Sequence, residues 1–105
     1  MSAPRIENLR AQLGGPRDGA LLRHALGSAL LDVGDAAEAV IQLREALTFD
    51  PQYSAAWKLL GKAHLAVDDV DAAAEAWREG IDVSEQRGDV QAAKEMRVFL
   101  RRLEK

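Results

Sequence analysis

Trp57-Lys58-Leu59-Leu60-Gly61-Lys62-Ala63-His64 decides the fold, because the chain carries an earlier copy of its pattern. Leu26-Gly27 stands 34 residues before Leu60-Gly61. The same offset relates Leu30 to His64, Asp35 to Asp69, Ala39 to Ala73, Leu43 to Trp77 and Ala46 to Gly80. A repeat of this period marks a helical array in which each unit buries its apolar face against the next. It indicates an interaction scaffold and leaves the ligand unnamed.

Breakers on either side of that stretch define the helices. They are Gly14-Gly15-Pro16, Gly34-Asp35, Asp50-Pro51, Asp68-Asp69 and Gly88-Asp89. Gly suits a left-handed helix end, and Asp accepts from the first free N–H groups of the next helix. Asp35 with Glu38 has capping-box spacing. Pro51 cannot continue the helix before it. Six amphipathic helices are predicted, over about 4–13, 18–33, 36–49, 53–67, 70–84 and 89–104. Each carries an apolar stripe, such as Leu22, Leu26, Leu30 and Val33, or Trp57, Leu60, His64 and Val67. The short connections make successive helices antiparallel neighbours.

Composition agrees with an all-α fold. The 48% apolar residues are mostly Ala and Leu, and only 5% of residues are aromatic, a mixture that favours helix. A chain of 105 residues corresponds to one domain, 1–105, and can bury a core without staples. The absence of cysteine excludes disulfides and thiolate chemistry. A net charge of −3 argues against nucleic acid as a partner. No apolar run reaches the length of a membrane span, and residues 1–7 lack the apolar stretch of a signal peptide, so a cytoplasmic location is expected. No phosphate-cradling loop, nucleophile elbow or zinc spacing is present. Accordingly no enzyme activity, catalytic residue, cofactor or metal is expected.

Gly27, Gly61, Ala39 and Ala73 fall on the packing stripes, where small side chains let two helix axes approach. Gly disfavours helix by about 1 kcal/mol relative to Ala, so its use at two equivalent sites requires a packing reason.

These residues resemble the tetratricopeptide repeat family, in particular a small bacterial-type protein with two full repeats and partial flanking ones. The second unit, 54–87, matches through Trp57, Leu60, Gly61, Ala73 and Trp77, and departs at His64, Gly80 and Glu85. The first, 20–53, matches through Leu26, Gly27, Ala39, Ala46 and Pro51, and departs at Arg23, Leu30 and Leu43. Residues 4–13 then look like the second helix of a truncated repeat, and 88–105 like a C-terminal capping helix. A two-residue insertion near Gly88 is preferred for that last helix, because it puts Ala93, Met96 and Leu100 at packing positions. The resemblance implies antiparallel helix-turn-helix repeats in a short right-handed superhelical array.

It also implies a concave groove lined by the first helix of each unit, which holds a peptide segment of a partner protein. Mapped here, the groove candidates are Leu21, His24 and Ser28, then Lys58, Lys62 and Leu65, then Gln91, Lys94, Val98 and Arg101. Lys58 and Lys62, at i and i+4, share one helix face. Cations beside Leu21 and Leu65 suit a short acidic or C-terminal peptide with an apolar anchor. The family's carboxylate-binding Lys and Asn positions hold His24 and Ser28, so that specificity does not carry over. Trp57 and Trp77 fall on core stripes, and His64 reads as a partly buried core residue. The alternative function is a structural assembly subunit or homodimer that uses its terminal helices, motivated by Val98 and Phe99 beside the apolar stripe of the last one.

Overall fold

Three aspartates set helix starts in the computed structural model, which describes residues 3–104. Asp35, Asp69 and Asp89 accept from the backbone N–H of Glu38, Ala72 and Ala92 at 3.3, 3.2 and 3.2 Å. Each satisfies an N–H that the first turn of a helix leaves free. The helices are α1 (Ala3–Arg10), α2 (Ala20–Asp32), α3 (Ala36–Phe49), α4 (Ser54–Ala66), α5 (Val70–Arg87) and α6 (Val90–Leu103). No strand occurs among the described residues. Asp35 and Glu38 form only half of a capping box, because the Glu38 carboxylate turns to Arg10 of α1. Helix α1 is also shorter than the periodicity predicts. It ends at Arg10, and residues 11–13 continue as turns with Leu13 half-buried against the core.

The repeat is visible in the helix ends. Gly34 after α2 and Asp68 after α4, at equivalent positions, hold left-handed backbone with φ of 85° and 64°. The next N–H then reaches back into the helix, Asp35 to the Leu30 carbonyl at 2.8 Å and Asp69 to that of His64 at 2.9 Å. The units differ at their far ends. Pro51 follows α3, with Asp50 extended at φ −144°. The equivalent position in the second unit is Glu85, which imposes no stop, and α5 runs 18 residues against 14 in α3. Gly88 at φ 78° ends it. The longer α5 sets the register of α6: Ala93 and Met96 are buried, whereas Gln91 and Lys94 are exposed.

Glycine makes the helix pairs close. A Cβ on Gly61 would lie 2.1 Å from Trp77 Nε1, which donates to the Lys58 carbonyl at 3.0 Å. The indole therefore lies across α4 at the one residue without a side chain. Gly27 receives Leu43 in the same way, with Cγ 2.7 Å from a Cβ position. Gly80 makes room for Met96 Sδ and Trp57 Cβ, at 2.4 and 2.7 Å from its own.

Helices α2 and α3 pair, as do α4 and α5, and α6 packs on α5. The first helices also touch, α2 with α4 and α4 with α6, whereas α3 and α5 do not meet. The array therefore closes on the side of α2, α4 and α6 and splays on the side of α3 and α5. One core cluster centres on Leu26, Leu30, Leu43 and Leu60, the other on Trp77 and Met96, and Trp57 borders both.

Candidate functional site

The face formed by α2, α4 and α6 collects most of the predicted groove residues, with their charges unevenly committed. Lys58 Nζ donates to Glu95 Oε1 of α6 at 3.0 Å, so this cation is neutralised across the seam between two first helices. Lys62, one turn on, stands 4.9 Å from the centroid of the Phe99 ring. Phe99 in turn packs on Trp77 with centroids 5.3 Å apart. A cation over an aromatic face is held in place while it keeps its charge. Lys62, Lys94 and Arg101 are exposed and have no carboxylate partner among the described residues. Leu65 and Val98 are exposed apolar residues of α4 and α6, and Gln91 opens α6.

The contributions of α2 are of another kind. His24 is half-buried with its ring centroid 5.0 Å from that of Tyr53. Burial, and secondarily the Lys58 charge, hold its imidazole below the ordinary histidine pKa, so it is neutral near pH 7. Ser28 is half-buried. Leu21, 74% exposed, lines a separate shallow cleft with Leu9 and Arg17. The positive charge of this face thus comes from α4 and α6.

Glu95 is the site residue that sequence reasoning missed. In the register of α6 it falls at the position that Ala25 and Leu59 hold in the repeats, a line facing the neighbouring first helix. A carboxylate on that line requires a cation, and Lys58 is the one within reach. The signal was the mismatch between Glu95 and its apolar equivalents.

Two further expectations are revised. Trp77 is buried, but Trp57 is only half-buried, and its Nε1 donates to the Pro51 carbonyl at 2.8 Å. Phe99, which motivated self-association through α6, is half-covered by Trp77 within the chain. His64 is half-buried, and burial lowers its pKa. Among the described residues no helix is long and apolar enough to cross a membrane, and no three His, Asp or Glu side chains converge on a metal position.

Comparison with known proteins agrees with the helical repeat. The tetratricopeptide repeat profile matches residues 20–63. A TPR repeat-containing protein of Pseudomonas aeruginosa is 48% identical over 100 residues, which span 95% of each chain. The FlbA protein of Caulobacter vibrioides is 35% identical over 68 residues, 65% of this chain and 11% of that one. The solution structure of a Bordetella parapertussis protein superposes with a TM-score of 0.81 at 44% identity, covering 93% of this chain and 85% of that one.

Proposed function

The chain belongs to the tetratricopeptide repeat family, and from that premise we propose that it is an adaptor whose α2, α4 and α6 face holds a peptide segment of a partner protein. Members of this family are generally interaction modules without catalytic activity. The segment this face suits is acidic, with an apolar anchor. One observation carries the reading: Lys62, Lys94 and Arg101 lack carboxylate partners beside exposed Leu65 and Val98. Ordinary surface cations are dispersed among carboxylates. Here the nearby carboxylate, Glu95, is taken by Lys58, which leaves the other three for an external anion.

The energetics are those of a weak, reversible site. Each exposed ion pair contributes about 0.2–1 kcal/mol and is screened by salt. An anchored side chain over Leu65 and Val98 adds burial at about 25 cal/mol per Å². Specificity then depends on the spacing of the acids relative to the anchor.

The test is a titration of a labelled acidic peptide ending in Leu, followed by fluorescence anisotropy. Binding should weaken with salt, and Lys62→Glu/Arg101→Glu should weaken it by about tenfold or more, equal to 1.4 kcal/mol or more. Lys58→Ala should change it less, because Glu95 already holds that ammonium. Equal affinity for the charge-reversed protein would overturn the reading.

A further inference from the structure

The opposite face carries a second, differently charged surface. Because α3 and α5 do not meet, the floor between them is α4, and it exposes the stripe of Trp57, Leu60 and His64. Two adjoining clefts, of about 430 and 330 Å³, share Arg44, Trp57 and Leu60. The Trp57 indole is fixed by its bond to Pro51, so the part of its ring that the core leaves uncovered is a preformed apolar surface. On the α5 rim stand Glu75 and Glu79, one turn apart, both exposed and without a cationic partner among the described residues. The acidic rim continues to Asp82. On the α3 rim stands Arg44. No ion pair or hydrogen bond among the described residues ties α3 to α5 across the gap.

We propose that this cleft docks a basic peptide segment, which places an apolar side chain on Trp57 and Leu60 and Lys or Arg side chains against Glu75 and Glu79. The occupant follows from charge complementarity. The carboxylates outnumber the lone guanidinium, and they lie at the spacing that meets two cations on successive turns or alternate residues. The apolar floor selects an anchor, because a purely basic segment leaves Trp57 in water. The chain thereby presents surfaces of opposite sign on opposite faces, so it can hold an acidic and a basic segment at once. This inference stands apart from the groove reading, since the two share no residue.

The experiment uses the full chain and a labelled short peptide of Lys and Leu, with a Glu-and-Leu peptide as control. The Lys peptide should bind, change the emission of Trp57, and shift backbone amides around Arg44 and Glu75. Glu75→Lys/Glu79→Lys should weaken it by about tenfold or more. Both side chains are exposed, and circular dichroism verifies that the variant keeps its fold. Arg44→Glu should strengthen it, whereas a cleft made for an acidic ligand would respond in the opposite sense. Lys62→Glu/Arg101→Glu should leave it unchanged, which separates this proposal from failure of the groove reading. Loss of the response in Trp57→Ala, with Glu75→Lys/Glu79→Lys unaffected, would reduce the site to nonspecific apolar contact and overturn the proposal. Self-association of the protein alone that disappears in Glu75→Lys/Glu79→Lys would also overturn it, by assigning the cleft to a second copy through the basic end of α6.

Discussion

Arg23 and Trp57 occupy the same position in consecutive repeats, and they use it in opposite ways. Arg23 holds Asp18 through two bonds of 2.8 Å, donates to Gln42 of α3 at 3.1 Å, and lies 5.9 Å from the Phe49 ring centroid. Asp18 also accepts from the Gly14 N–H at 2.9 Å. With the Arg10–Glu38 pair, this network ties α1 and the following loop to α3. Trp57 makes one bond, to Pro51, and leaves part of its ring open between α3 and α5. The scaffold requires only that the position be filled on its packed side. What the residue does on its outer side distinguishes a sealed junction from an accessible one.

The largest effect expected from breaking this comparison lies in the helix contacts common to both repeats. Gly61→Ala should destabilise by about 2–3 kcal/mol, because its Cβ would strike an indole pinned by a hydrogen bond. Gly27→Ala should lose less than about 1 kcal/mol, since the Leu43 side chain can rotate away and Ala recovers helix propensity. Urea denaturation of both variants measures the difference. Equal losses would mean that the two helix pairs close equally tightly.

A smaller effect is pH-dependent. The Arg23 guanidinium, and then the Gly14 N–H, hold the Asp18 carboxyl well below the usual carboxylate range. A depressed carboxyl contributes stability above its unfolded pKa of about 3.9, and that stability is lost as pH falls through the lower folded value. Asp18→Asn should therefore be less stable than the parent near pH 7, with the gap narrowing as pH falls below about 4. Thermal melts across that range test it, and a constant gap would show that the Asp18 charge contributes nothing.

The smallest effect expected is at the helix ends. Asp68→Gly should stabilise the second repeat by up to about 1 kcal/mol, because Gly adopts the left-handed backbone without a Cβ conflict. Gly34→Asp should lose a similar amount in the first. Chemical denaturation measures both, and changes of the same sign would show that the two ends are not equivalent.

The scaffold was legible because its signals are local. Asp caps, glycines on packing stripes and the stop at Pro51 each act within a few residues of where they stand. The site was legible in part. Lys58 and Lys62 sit on the face their spacing assigns, but the commitment of Lys58 to Glu95 depends on where α6 lands. That landing follows from α5 continuing past Glu85, a tertiary consequence of one missing proline. The half-open Trp57 was not legible at all. Its periodicity is that of a core residue, and its exposure arises only because α3 and α5 splay apart.

The two indoles report on the two faces, and that makes the central test direct. Trp77 Nε1–H bonds to the carbonyl of Lys58, beneath Phe99 and Lys62, whereas Trp57 Nε1–H bonds to Pro51 on the opposite side. An NMR titration with the acidic, Leu-ended peptide follows both indole signals in one spectrum. The account predicts that the Trp77 signal moves with the amides of Lys62, Leu65 and Val98, while the Trp57 signal stays still. Movement of Trp57 alone, or of neither indole nor those amides at saturating peptide, would contradict it.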